Sequence, residues 1–175
     1  MSDTSTGARI GLAAEGSANV ATGLPVLDHL VSELARTARF KLTLEVGPEG
    51  LDDAVVAAGR TLGNALGELL SAAGAAGRGW ALVPAEEALA LAALERDPNP
   101  RLVTNVDLTD QRVGGLATDV ASRFLQELAQ TAALNVHVRV MEGTDPQHVL
   151  ASIFKSVGAA LGQACRRIPE AKELS

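Results

Sequence analysis

Thr22-Gly23-Leu24-Pro25-Val26-Leu27-Asp28-His29-Leu30-Val31-Ser32-Glu33-Leu34-Ala35-Arg36 is the stretch whose reading decides the fold. Leu27, Leu30, Val31, Leu34, Ala35 and Ala38 recur at the i, i+3, i+4, i+7 spacing of a helix with one buried face. The spacing therefore predicts a helix begun through the turn at Gly23-Leu24-Pro25. Directly after it, Phe40, Leu42, Leu44 and Val46 alternate with Lys41, Thr43 and Glu45, which is the period of a strand with one face buried.

The same unit occurs again. Glu33-Leu34-Ala35-Arg36-Thr37-Ala38 and its strand match Glu127-Leu128-Ala129-Gln130-Thr131-Ala132, followed by Leu134, Val136, Val138 and Val140. Further on, Leu62-Gly63-Asn64-Ala65-Leu66-Gly67-Glu68 matches Val157-Gly158-Ala159-Ala160-Leu161-Gly162-Gln163. Self-similarity at long period points to an internal duplication. The expected fold is α+β, built from two duplicated half-domains, each with a sheet and two helices. The halves are expected to run over about 8–78 and 79–175 and to share one core within a single domain, 1–175, because neither half has enough apolar surface to stand alone.

Working outward, Ala8 to Ala14 and Ser17 to Ala21 are expected to be short strands on either side of Glu15-Gly16. Asp52 or Asp53 is expected to cap a long helix reaching about Ala72, and the Gly-rich run from Ala72 to Gly79 to connect the halves. Trp80 to Val83 reads as a strand, while Ala88 to Leu94 fits either a short helix or a strand. Asp97-Pro98-Asn99-Pro100 is a turn, since neither proline suits a regular interior. Leu102 to Leu108 is expected to be a strand, Leu116 to Ala132 a helix, Leu134 to Met141 a strand and His148 to about Arg166 the last helix.

Bulk properties narrow the function. The 175 residues are 47% apolar and 21% charged, ordinary for one globular domain. A formal charge of −6, with three Phe, one Trp and no Tyr, argues against nucleic acid, which asks for a basic face and stacking rings. No apolar run approaches the length of a membrane span, so no membrane partner is expected. Met1 to Gly7 is polar and lacks the pattern of a signal peptide, which makes a cytoplasmic location the expectation. Cys165 is alone, so neither an intrachain disulfide nor a paired-cysteine metal site can form.

Four segments carry a family resemblance: Thr22 to Leu30, Ala81-Leu82-Val83-Pro84-Ala85-Glu86-Glu87-Ala88-Leu89, Leu134-Asn135-Val136-His137-Val138, and Ile153-Phe154-Lys155-Ser156. In this order, from about Thr22 to Lys172, the chain resembles imidazoleglycerol-phosphate dehydratase, an enzyme of histidine biosynthesis. The resemblance implies a duplicated α+β fold in a large symmetric oligomer with active sites between subunits. It also implies paired manganese ions, whose ligands come largely from two copies of His-His-x-x-Glu. Two imidazoles and a carboxylate suit a borderline metal, and the i, i+4 spacing keeps two of them on one helix face.

This chain departs from that motif. The first copy aligns with Asp52-Asp53-Ala54-Val55-Val56 and the second with Gln147-His148-Val149-Leu150-Ala151, so both glutamates and three of the four histidines are replaced. Thr37 and Asn99 stand where the family has a histidine and an arginine, and the family's N-terminal glutamate has no counterpart. Near the end, Pro169-Glu170-Ala171-Lys172-Glu173 keeps Lys172 and adds carboxylates where a phosphate would sit. Loss of one general acid or base costs about 10²–10⁴ in rate. The family reaction is therefore not expected, and no metal cofactor is expected either.

The candidate pocket residues are His29, Asp52, Asp53, Asp97, Asn99, Gln147, His148, Lys155 and Lys172. His29 and His148 match family active-site positions, although each also reads as a structural histidine, and His137 reads as a packed one. Asp52 and Asp53 could ligate a hard cation or cap their helix. Asp97 and Asn99 are also natural turn formers, and the two lysines could bind an anion or simply be solvated. Three functions follow: a catalytically degenerate paralogue acting as an oligomeric binding or structural subunit; an enzyme of different, metal-independent chemistry on a small molecule in the same pocket; or a mixed assembly with a complete paralogue.

Overall fold

The computed structural model describes residues 5–105, 112–113 and 116–168. The first half consists of β1 (Gly7–Leu12), β2 (Ser17–Ala21), α1 (Pro25–Ala38), β3 (Phe40–Glu45) and α2 (Leu51–Leu70). The second consists of β4 (Arg78–Ala85), β5 (Ala88–Arg96), β6 (Arg101–Thr104), β7 (Arg112–Val113), β8 (Leu116–Ala117), α3 (Thr118–Ala132), β9 (Leu134–Glu142) and α4 (Pro146–Cys165). In the first sheet β3 lies between an antiparallel β1 and a parallel β2. In the second, β9 lies between an antiparallel β5 and a parallel β6, with β4 added beyond β5. The duplication legible in the sequence thus reappears as a repeated pairing pattern, and β4 is the addition.

Ala88 to Leu94, which the sequence leaves open between a short helix and a strand, belongs to β5, where Ala88, Ala90, Ala92 and Leu94 are buried in strict alternation; small side chains let α4 lie close on this sheet. Several elements differ from the sequence reading. Gly50, not Asp52 or Asp53, occupies the N-cap of α2, and no side chain caps it; both aspartates lie in the first turn. The predicted strand from Leu102 ends at Thr104, with 106–111 outside the described residues, and α3 begins at Thr118 rather than Leu116, which pairs with Val113 instead. His137 is exposed on the outer face of β9, the face opposite the buried Val136 and Val138.

All four helices start at one end of the molecule. The Val46 amide donates to the Ala21 carbonyl at 3.0 Å, so β2 and β3 finish side by side, and α1 and α2 begin just beyond them. Asn105 brackets Val140 through both its amide groups, at 3.2 and 2.9 Å, bringing the end of β6 to the end of β9, from which α4 departs. Between the sheets the helices pair across the halves, α1 with α4 and α2 with α3. Phe124 of α3 stacks on Phe154 of α4 with ring centroids 5.8 Å apart.

Glycine makes both pairings close. A Cβ at Gly158 would overlap the Leu34 carbonyl, and one at Gly162 would lie 2.5 Å from the Ala38 oxygen. In the other pair a Cβ at Gly63 would lie 3.0 Å from the Leu128 oxygen. Leu34 and Leu128 are aligned positions of the repeat, as are Gly158 and Gly63, so one crossing is used twice. Arg166 then ties the far end: it donates to the carbonyls of Ala38 at 2.8 Å, Gly162 at 2.7 Å, Arg39 at 3.0 Å and Ala13 at 3.3 Å.

Three substitutions test this packing. Gly158→Ala should lower stability by about 1–3 kcal/mol in chemical denaturation, because overpacking outweighs the gain in helix propensity. Gly67→Ala, whose Cβ would meet nothing nearer than 4.0 Å, should raise stability by about 0.5–1 kcal/mol. Arg166→Ala should cost about 1–3 kcal/mol, and Lys should not restore it, since a point charge cannot reproduce the guanidinium fork.

Candidate functional site

The first turn of α1 is held from outside the helix. Thr22 is buried, and both its amide, at 2.8 Å, and its hydroxyl, at 2.5 Å, donate to Asp28 Oδ1. Its hydroxyl also accepts from the Leu24 amide at 3.2 Å. Gly23 turns the chain at φ 84°, a left-handed conformation that suits glycine, and Pro25 begins the helix without an N–H to satisfy. Asp28 is thereby a structural carboxylate, and the next residue, His29, is presented on the surface.

The start of α4 lies beside it. Asp145 caps this helix by accepting from the Gln147 amide at 2.8 Å, with Pro146 in the first turn. The two helix starts enclose an open cavity of about 390 Å³, with His29, Gln147 and His148 beside apolar Val26, Leu30 and Leu150. Three residues selected from the sequence are thus brought together.

A fourth polar residue completes the group without having been selected. Glu87 Oε2 lies 2.5 Å from His148 Nδ1, while its Oε1 accepts from the amides of Asp145 at 2.9 Å and Thr144 at 3.4 Å. The Asp145 amide is the chief reason that the Glu87 carboxyl is held down to about 2, and hydrogen bonding to Glu87 in turn raises the His148 pKa above its ordinary value. The carboxylate fixes Nδ1 as the protonated nitrogen and leaves Nε2 as the functional edge of the ring. Glu87 lies in the tight β4–β5 turn, where Glu86 has φ 51°, a conformation that is strained for a residue with a Cβ. Glu87 lies within the family-like segment Ala81 to Leu89, yet 61 positions separate it from His148, and only the hairpin geometry joins them.

The other selected residues are placed elsewhere. Asp52 accepts from Arg123 Nη1 at 2.9 Å at the start of the α2–α3 pair, and Asp53 is exposed beside it. Asp97 Oδ1 accepts from the Asn99 amide at 2.8 Å, the turn-forming arrangement. The Asp97 amide donates to the Ala133 carbonyl just past the end of α3, so this turn lies at the opposite end of the helix layer from His29 and His148. Lys155 faces Glu33 at 3.8 Å, and Lys172 lies outside the described residues.

The donor set does not fit a manganese pair within one chain. Among the described residues no group of three or more His, Cys, Asp or Glu side chains is arranged to hold a metal ion. Val56 and Ala151 offer no ligand atom where the motif has glutamate, and the Arg123 guanidinium places a fixed positive charge on Asp52.

The fold and sequence have known relatives. The family described as imidazoleglycerol-phosphate dehydratase matches residues 22–161. The enzyme of that name from Symbiobacterium thermophilum is 35% identical over 166 residues, covering 88% of this chain and 76% of the relative. Its namesake from Desulforudis audaxviator is 34% identical over 164 residues, covering 90% and 84%. The crystal structure of imidazoleglycerol-phosphate dehydratase from Staphylococcus aureus superposes with a TM-score of 0.82 at 24% identity, covering 92% of this chain and 93% of the other. That from Pyrococcus furiosus, in complex with (S)-C348, gives 0.82 at 22% identity, covering 99% and 96%. By sequence and by fold, the chain belongs to the imidazoleglycerol-phosphate dehydratase family.

Proposed function

We propose that this chain keeps the family scaffold without the manganese-dependent dehydration, and acts as a binding or structural subunit of a homo-oligomer. The observation that carries this reading is the Arg123–Asp52 ion pair, at 2.9 Å, where the first motif copy would begin a metal site. A guanidinium is always charged and repels a divalent cation, and each missing carboxylate removes a further anionic ligand. That the relatives bear the name of a dehydratase describes those proteins; Asp52, Asp53, Val56, Gln147 and Ala151 are where this chain departs from the motif that the resemblance implies.

Self-association is supported by the contrast between the two sheets. Outward residues of the first sheet are polar or small, including Arg9, Lys41, Thr43, Glu45 and Asn19; Leu12, 47% exposed, lies at the end of β1. The second sheet turns outward Trp80, 65% exposed, with Leu82, Val103 and Met141, each between 44% and 53% exposed. These apolar side chains lie on a face shared with the polar Arg78, His137 and Arg139, a mixture typical of an interface, where Trp and Met are enriched. A second reading, a metal-independent enzyme acting on a small molecule, is favoured by one observation: His29 and His148 share a cavity with a carboxylate behind one of them.

Three measurements test the proposal. Metal analysis of protein purified without chelator should give far less than one manganese per chain, and added manganese should not elicit dehydration of imidazoleglycerol phosphate. Stoichiometric manganese with turnover would overturn it. Light scattering should give a mass of several chains, reduced by Trp80→Arg combined with Leu82→Glu; a monomeric wild-type protein would remove the oligomeric half of the reading.

A further inference from the structure

The repeat lets one end of the helix layer be read against the other. Through the aligned segments Glu33-Leu34-Ala35 and Glu127-Leu128-Ala129, His29 corresponds to Arg123; through the two motif copies, Asp52 corresponds to Gln147 and Asp53 to His148. At the start of the α2–α3 pair a cation, Arg123, holds a carboxylate, Asp52, at 2.9 Å. At the start of the α1–α4 pair His29 stands at the cation's position, but neutral Gln147 stands at the carboxylate's. There the chain supplies an open cavity of about 390 Å³ and a second histidine.

We propose that this cavity binds a small monocarboxylic acid with an apolar body, whose carboxylate occupies the place that Asp52 fills in the other half. His148 is prepared for this task. Glu87 takes its Nδ1 and leaves Nε2 without a hydrogen bond among the described residues, and the N-terminal ends of α1 and α4, which meet at this cavity, favour an anion there. His29 supplies a second imidazole across the cavity, while Val26, Leu30 and Leu150 offer an apolar wall for the rest of the ligand.

The neighbouring carboxylates are already directed elsewhere. Glu87 faces His148 and two backbone amides, Asp145 faces the Gln147 amide, and Asp28 faces Thr22. Glu86 is exposed on the β4–β5 turn. An apolar wall disfavours free phosphate, whose oxygens would lose water along it without compensation. Glu87 acts through His148 and is a positioning residue. This inference goes beyond the proposed function and rests on it in one respect, that no metal ion sits at this end.

Equilibrium dialysis of the full chain, in the assembly in which it is purified, tests the inference with benzoate as the probe and benzamide as its neutral counterpart. Metal content is measured on the same sample, so a metal-loaded protein would defeat the proposed function and be recognised separately. Benzoate should bind saturably at one per chain and at least about tenfold more tightly than benzamide, the difference one charge-assisted contact makes. His148→Gln should weaken benzoate about tenfold or more, and Glu87→Gln should weaken it less, because the ring remains but is no longer held. Gln147→Asp should abolish benzoate binding by supplying the chain's own carboxylate, with an unchanged unfolding midpoint showing that the fold is intact. Equal affinity for benzoate and benzamide, no saturable binding at millimolar benzoate, or wild-type affinity in His148→Gln or Gln147→Asp would overturn the assignment.

Discussion

The structure depends on one contact made twice: a glycine of one helix set against a backbone carbonyl of the next. Gly158 meets Leu34, and Gly63 meets Leu128, at distances that leave no room for a Cβ. Close approach brings α1 to α4 and α2 to α3 with their chains running in the same sense, since Gly162 meets Ala38 and Gly67 faces Ala132 further along. Neither half could bury its helices alone; crossing the partners between halves turns two thin layers into one core, in which Phe124, Phe154, Leu62 and Leu161 are fully enclosed.

Parallel pairing has a consequence for chemistry. Because α1 and α4 run together, residues from their first turns meet at one place, and the same is true of α2 and α3. A duplicated chain therefore carries two equivalent candidate sites from the start, and they have diverged. In one, Arg123 and Asp52 satisfy each other, which leaves a surface ion pair of small energetic worth. In the other, His29 and His148 remain beside a cavity, and a strained turn at Glu86 presents Glu87 to the second of them. Backbone strain costs about 1–3 kcal/mol and persists where the surroundings enforce it. At Glu86 the antiparallel hairpin of β4 and β5 does so.

The two sheets have diverged as well. Alternation alone would give both a polar outer face, and the first sheet has one, with Lys41, Thr43 and Glu45 outward along β3. Along the second, Trp80, Leu82, Val103 and Met141 lie outward, although the inner face is already packed on α3 and α4.

What the sequence by itself determined were the features carried by local periodicity and by self-comparison. The helix begun through the turn at Gly23-Leu24-Pro25, the strand after it and their second copies all follow from spacing, because burial on one face imposes a period whatever the partner. The family was legible for the same reason. What only the tertiary structure decided were contacts between residues distant in the chain. Ala88 to Leu94 has small apolar side chains suited to helix or strand, and pairing with β4 and β9 settled it. His137 lies in an alternating strand whose outward phase only the register reveals. Glu87 and His148, Arg123 and Asp52, and the separation of Asp97 and Asn99 from both histidines depend on which helix crosses which and on where a hairpin turns. No local pattern encodes that, since the energy that selects it comes from packing across the whole core.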